Sequence, residues 1–210
     1  MKKNPEWLRW AKELQALSQT GLHFAEISYD RERYQRIEQS AAEILAAHTS
    51  LGVEEILSLN RREFGYATPK VDVRGVVFRE GRILLVQEAL DAGRWTVPGG
   101  WADVNESPSE AAEREVFEES GLRTKATKLL SLYDRERQGH EPSFPYHVYK
   151  VAFHCEWLSG SLRSDGSEIT GAGFFTEQDL PELSVSRVTR AQIQRFFWHL
   201  REPERPADFD

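Results

Sequence analysis

Residues 107 to 121 dictate one helix before any wider pattern is considered, and they load a single face of it with acid. Ser107 precedes Pro108, a helix start with proline at the first helical position, and Glu110 follows Ser107 by three residues as a capping box requires. Gly121 is the matching stop, so local chemistry alone delimits about three to four turns. Within them Glu115, Glu118 and Glu119 stand at i, i+3 and i+4, which puts three carboxylates within reach of one point. Like charges so placed repel. The spacing also describes an ordinary solvated acidic face. If the three acids do work together, they need a cation, and hard oxygen ligands suit Mg²⁺, with Mn²⁺ as a substitute. Arg114, four residues from both Glu110 and Glu118, can offset part of the charge and orient carboxylates. Upstream, Pro98-Gly99-Gly100 supplies a turn whose glycines permit close backbone approach.

Charge sharpens that expectation. Acidic residues outnumber basic ones 34 to 27, a formal charge of −7, which disfavours attraction to a long polyanion and favours a small-molecule substrate. An acidic protein that handles phosphates needs cations to bridge the two. The single cysteine, Cys155, excludes an internal disulfide and a thiolate metal cluster within one chain, as fits the cytoplasm. No run approaches the roughly 20 apolar residues of a membrane span, and Met1 to Glu6 lacks the apolar run of a secretory signal, so a soluble, unexported protein without a membrane partner is expected. His140 and His147 show no metal-ligand spacing and read as structural or solvent-facing.

The first third has helical periodicity in three segments expected to be short: Trp7, Trp10, Ala11, Leu14 and Leu17; then Tyr34, Ile37, Ala41, Ile44, Leu45 and His48 behind Asp30 as N-cap; then Val53, Ile56, Leu57 and Asn60. Such helices bury little alone and should pack on one another, on the following domain or on a second subunit. From Phe64 to Pro69 the period is lost, and strand signals follow: Val71, Val73, Val77 and Phe78, a Glu80-Gly81 turn, then the apolar run Ile83 to Val86. Tyr149, Val151, Phe153, Cys155 and Trp157 alternate, giving one apolar face with Cys155 in the core. Ile193, Phe196, Phe197 and Leu200 mark a covering helix, and the tail with Pro203 and Pro206 is expected to fray. The chain therefore divides into a small all-α domain (1–67), an α/β domain (68–202) and a tail (203–210).

The stretch from Gly100 to Leu122 resembles the Nudix box at every defining position: Gly100, five residues, Glu106, seven residues, Arg114-Glu115, the apolar Val116, Phe117, Glu118-Glu119, Ser120, Gly121 and Leu122. That resemblance implies an α/β/α sandwich with a mixed sheet and Mg²⁺-dependent hydrolysis of a nucleoside diphosphate linked to another moiety. The residues matching its metal ligands are Glu115, Glu119 and Glu118, with the carbonyl of Gly99. Gly100, Glu106 and Arg114 match supporting roles. Metals so held bridge carboxylates and diphosphate and lower the pKa of an attacking water. The general base varies within the family. Glu168, in the loop Ser164-Asp165-Gly166-Ser167-Glu168 before Phe174-Phe175, is the candidate outside the helix, with a helix glutamate as the alternative.

Beyond the box, the three N-terminal helices, the strand at Pro69 to Gly75, Leu129 to Arg135, and Leu180 to Ser184 are similar to a Nudix subfamily with a helical N-terminal domain. Its members include CDP-choline and ADP-ribose pyrophosphatases, which implies one or both of these substrates. The match departs at Asn105, where glycine is expected before Glu106. Arg74 and Arg135 are available to a diphosphate or ribose, and Tyr133, Phe144 and Tyr146 to a base. Exposed apolar stripes, with Trp7 and Trp10, imply a homodimer. The competing readings are an RNA 5′-end pyrophosphohydrolase and a non-enzymatic nucleotide sensor. The intact carboxylates, and the absence of basic composition from the N-terminal helices, argue against the sensor. Cys155, embedded in an alternating apolar strand, argues against a cysteine-dependent isomerase.

Overall fold

The computed structural model describes residues 5–63, 65–164 and 166–210. The start before Pro5, Phe64 of the expected boundary and Asp165 of the Glu168 loop lie outside the described residues. The chain forms two compact units, one reaching to Pro69 and including Ser143–His147, the other comprising Lys70–Pro142 and Val148–Asp210.

In the first unit, α1 (Glu6–Phe24), α2 (Ser28–His48) and α3 (Val53–Asn60) share a core of Leu8, Ala11, Ala42, Leu45, Ile56 and Leu57. Two of the helices are longer than expected, at 19 and 21 residues. Asp30 is not the N-cap of α2. The extended residue is Ile27, whose carbonyl accepts the Arg31 amide, and Asp30 sits in the first turn paired with Arg33 at 2.8 Å, where its charge suits the helix dipole. The buried face of α1 is also rotated from the expected stripe. Leu8 and Ala11 are buried, whereas Trp10, Leu17 and Phe24, seven residues apart, are exposed. No helix among the described residues is long and apolar enough to cross a membrane.

The second unit is built on two sheets. β1 (Lys70–Val76) runs parallel to β6 (Val148–Gly160), which pairs antiparallel with β5 (Leu122–Asp134), so this sheet is mixed. β3 (Arg82–Glu88) pairs antiparallel with β2 (Phe78–Arg79), β4 (Trp95–Thr96) and β7 (Ile169–Phe175) in the second. The turn joining β2 to β3 places Glu80 and Gly81 at φ of 51° and 73°, the doubly positive geometry of a two-residue hairpin. Helices close both sides. On one, Val116 of α4 (Pro108–Ser120) packs with Val77, Leu84, Leu122 and Cys155. On the other, Ile193, Phe196 and Phe197 of α5 (Arg190–Arg201) pack with Val76, Ile83, Leu85 and Leu130. Alternation along β3 explains the division, since Leu84 faces α4 while Ile83 and Leu85 face α5. This is the expected sandwich.

Two expectations need correcting. The tail does not fray: β8 (Asp208–Phe209) joins β5 in parallel, and the Asp210 carboxylate accepts from the Asp134 amide and from the Gln138 side chain at 2.6 Å. β6 is not buried on one face alone. Val148, Lys150 and Ala152 are buried on the face opposite the predicted one, and Tyr149 and Trp157 at the ends of the predicted face are largely exposed. A strand flanked by β1 and β5 with helices on both sides has little polar face to offer, and a lysine buried in it calls for an explanation.

Candidate functional site

The helix carrying the acids forms as its sequence dictates. Ser107 accepts from the Glu110 amide, Glu110 accepts from the Ser107 amide at 2.9 Å, and Gly121 closes the helix at φ 77°. Asn105 takes φ 72°, which asparagine tolerates better than most residues, so the departure from glycine keeps the turn. Gly75 on β1 lets α4 approach: a side chain there would overlap Val116. Gly99 and Gly100 are held beside β1 by a short ladder, with the Val73 amide on the Gly100 carbonyl at 2.8 Å, Gly75 on Pro98 at 2.9 Å, and Ala102 on Val71 at 3.0 Å.

Two of the three glutamates meet this turn. Glu119 accepts from the Gly99 amide at 2.9 Å, and the Glu115 carboxylate lies against Gly100, about where a Cβ would come within 3.0 Å of it. Arg114 organises the remainder. Its guanidinium grips Glu106 (2.9, 3.0 and 3.1 Å) and reaches Glu115 at 2.8 Å and Glu118 at 3.0 Å, while Glu110, which the spacing also offered, is taken by Ser107. Glu118 is the exposed member. Burial pushes Glu119 up to about 8, with the neighbouring charges of Glu115 and Glu88 adding to it and Arg74 opposing. Burial also raises Glu115, against the pull of Arg114.

Desolvated acids near the Gly99-Gly100 turn, whose burial Arg114 and Arg74 offset only in part, are a donor set of hard oxygens that fits a divalent cation. Among the described residues no three acidic, histidine or cysteine side chains already converge as a ligand cluster. A cation there would use Glu115 and Glu119 with backbone oxygen, water and substrate phosphate rather than a closed protein cage.

The residues expected outside the helix fall into different settings. Arg74 is buried next to this site: it clamps both Asp72 oxygens (2.8 and 2.6 Å) and donates to the Val97 carbonyl at 3.1 Å. Arg135 is buried too and binds the carbonyls of Pro142 (2.9 Å) and Ser186 (3.4 Å), bracing two loops. Tyr133 is 3% exposed with Arg195 over its ring, so it packs and offers no face for stacking on a base. Phe144 and Tyr146 belong to the first unit and contact each other edge to face, centroids 5.6 Å apart. Glu168 is exposed, and its carbonyl accepts the Ala89 amide at 2.9 Å. His140 is buried, bonded to the Val185 carbonyl and Gln192, and burial draws it down to about 3, a structural histidine. Burial pushes the Cys155 thiol up to about 12, which leaves it inert.

Sequence reading missed four charged residues here. Asp72 accepts from Lys150 at 2.6 Å as well as from Arg74, and Glu88 at the end of β3 pairs with Arg187 at 2.8 Å. The available signals were Asp72 and Arg74 two apart on a strand, hence on one face, and charges ending or interrupting apolar runs at Glu88 and Lys150. Arg187 also lies 3.8 Å from Asp91, and Asp91 lines a cleft of about 470 Å³ together with Arg94, Glu141, Glu182, Ser186 and Arg190.

The fold and box have counterparts among known proteins. Residues 5–59 match the family described as the UDP-X-like, N-terminal oligomerisation domain, and residues 68–196 match the NUDIX domain. A Bacillus subtilis (strain 168) protein named "Putative ADP-ribose pyrophosphatase YjhB" is 40% identical over 210 residues, the full length of both chains. The crystal structure of a UDP-X diphosphatase superposes with a TM-score of 0.62 at 30% identity, covering 100% of each chain. That of a Streptococcus suis 89-1591 ADP-ribose pyrophosphatase gives 0.61 at 36%, over 68% of this chain and 100% of the other. With a capped acidic helix against a glycine turn on an α/β/α sandwich, and with the NUDIX match spanning most of the chain, this protein belongs to the Nudix family as a pyrophosphohydrolase.

Proposed function

We propose that the protein hydrolyses the diphosphate linkage of a nucleoside diphosphate joined to a sugar, of which ADP-ribose is the leading example, with Mg²⁺ held by Glu115, Glu119 and the Gly99 carbonyl. The observation that carries this is the seating of the Glu115 and Glu119 carboxylates on the Gly99-Gly100 turn. A bound divalent cation supplies charge neutralisation at the diphosphate and a more acidic water. The chain supplies the rest. Arg114, itself aimed by Glu106, orients Glu115 and Glu118, and Arg74 brings a fixed positive charge to the Glu119 side of the site. Glu168 or Glu118, the exposed acids, would take the water proton.

The cleft beyond Arg187 bears on the moiety. Its carboxylates, guanidinium groups and serine suit the hydroxyls of a sugar, and no aromatic ring lines it among the described residues, whereas a quaternary ammonium such as choline is held best by aromatic faces. ADP-ribose appears in the names of two relatives, and the name of a third, a UDP-X diphosphatase, leaves the moiety open.

The test is product release with Mg²⁺ or Mn²⁺ on ADP-ribose, UDP-sugars, CDP-choline and 5′-triphosphorylated RNA, with and without EDTA. Turnover of a nucleoside diphosphate sugar that EDTA abolishes is the expected result. Preference for CDP-choline or RNA would overturn the sugar assignment, and nucleotide binding without turnover of any substrate would favour the sensor reading.

In the proposed division the N-terminal helices (1–67) have an assembly role, and 203–210, first set apart as a tail, goes with the 68–202 domain through β8. Exposed Trp10, Leu17 and Phe24 form a stripe along α1 at seven-residue spacing, as a helix packing on a second copy requires. Sedimentation is expected to give a homodimer at micromolar concentration and a monomer for Trp10→Glu/Leu17→Glu; a monomeric parent protein would sink the idea.

A further inference from the structure

Lys150 is 5% exposed near the start of β6, between Tyr149 and Val151 and flanked on its own face by buried Val148 and Ala152. Burying an ammonium is costly unless it is paired, and replacing such pairs with apolar residues is often neutral or stabilising. Stability alone therefore gives a weak reason for its presence. Its position is more telling. Asp72 and Lys150 are direct partners in the β1–β6 register, and Asp72, Arg74 and Val76 share the face of β1 opposite the one that carries Val73 and Gly75 towards α4. The Lys150 Nζ donates to Asp72 Oδ1 at 2.6 Å, and Asp72 uses both oxygens to hold the Arg74 guanidinium. Arg74 in turn donates to the Val97 carbonyl, two residues before Gly99, and its charge acts on both Glu119 and Glu115. Burial alone would raise the Asp72 carboxyl, but Arg74 and Lys150 outweigh it and hold it well below the usual range, so this carboxylate stays ionised as the hinge of the chain.

We propose that Lys150 is a positioning residue for hydrolysis, acting through Asp72 to fix Arg74 and, through Arg74, the Val97–Gly100 turn on which Glu115 and Glu119 are seated. Without the ammonium, Asp72 loses one of its two cationic partners and is free to rotate, and the guanidinium that it aims is no longer held in one orientation. Lys150 touches neither substrate nor cation. Its effect reaches the chemistry across two hydrogen-bonded side chains, and partners that orient metal-site groups in this way are commonly worth about 10- to 100-fold in metal affinity or activity.

The inference rests on the proposed hydrolysis, and the experiment separates the two. Wild type, Lys150→Met, Lys150→Gln, Lys150→Arg and Leu130→Ala are compared for kcat, KM, thermal midpoint and Mn²⁺ dissociation constant by electron paramagnetic resonance. Leu130 is in the core beside α5 and controls for lost stability. For Lys150→Met the expected result is kcat lower by about 10- to 100-fold, substrate KM within about threefold and Mn²⁺ affinity weaker by about tenfold. Lys150→Arg, which keeps a cationic donor, recovers most of both losses, and Leu130→Ala keeps kcat and Mn²⁺ affinity well below its melting temperature. If Lys150→Met does not fold, Lys150→Gln carries the same comparison. Unchanged kcat and Mn²⁺ affinity in folded Lys150 variants, or losses that Leu130→Ala matches, would overturn the inference. Wild type that binds Mn²⁺ without turnover would instead refute the hydrolytic reading, leaving the Mn²⁺ comparison to decide the role of Lys150.

Discussion

Glu119→Gln is expected to lower turnover on the order of 1000-fold, equivalent to about 4 kcal/mol of transition-state stabilisation, while making the metal-free protein more stable at alkaline pH. The loss follows from exchanging a charged oxygen donor for a neutral amide at the turn where the cation is proposed to sit. The gain follows from burial. Glu119 has its folded pKa raised from 4.5 to about 8, so between those values the folded state holds a proton that the unfolded state has released. Its contribution to stability is complete below about pH 4.5 and is lost as pH rises through about 8. Glutamine does not ionise and loses nothing over that range.

Calorimetry in EDTA from pH 5 to pH 9 should therefore show the melting temperatures of the two proteins diverging, with Glu119→Gln the higher at pH 9. Lys150, which burial draws down and Asp72 pulls back up, is common to both proteins, so their difference isolates Glu119. Adding Mg²⁺ should raise the wild-type midpoint and leave the variant almost unmoved. Parallel curves for the two proteins across this range would remove the buried-charge account, and full activity in the variant would remove Glu119 from the site.

Gly99→Ala is expected to cost about 3 kcal/mol of stability and to reduce turnover by more than the lost folded fraction explains. Gly99 has φ 146°, a conformation side chains rarely adopt, and a Cβ there would overlap the Val73 carbonyl oxygen and lie 2.8 Å from the Arg74 Cα. Both neighbours are backbone, so neither can swing aside. The turn must separate from β1, which breaks the ladder at Val73 and Gly75 and carries the Gly99 amide away from Glu119. Gly52→Ala is the control, with φ −76° and nothing within 4 Å of its Cβ, and should cost no more than about 1 kcal/mol, the size of a weakened cap at the start of α3. Urea titration with activity measured on the same samples decides the matter. A Gly99→Ala protein as stable and active as Gly52→Ala would show that the turn is not held as described.

The acidic helix was fully legible in the sequence because each signal for it is local. A cap at Ser107, a proline at 108 and a glycine at 121 act on neighbouring backbone groups, and carboxylates at i, i+3 and i+4 share a face whatever the rest of the chain does. The β2–β3 hairpin and the covering helix were legible for the same reason, through Glu80-Gly81 and the spacing of Ile193, Phe196 and Phe197. Asp30 failed as a cap because an acid anywhere in the first turn satisfies the same dipole, so its identity does not fix which residue turns the chain.

The rest was decided by pairings between distant segments. Arg74 was singled out as an available cation, but its engagement with Asp72 and Val97 depends on β1 lying between β6 and the 98–102 turn. Lys150 carried no role in the sequence reading, and it is the pairing of β6 with β1 and β5 that buries it and gives it Asp72 as a partner across 78 positions of sequence. Tyr133 and the tail changed role likewise, one buried beneath Arg195 and the other annealed to β5. Local hydrogen bonding set which residues would act together on one helix. The burial of charge, which demands a partner wherever the fold provides one, set which distant residues support them.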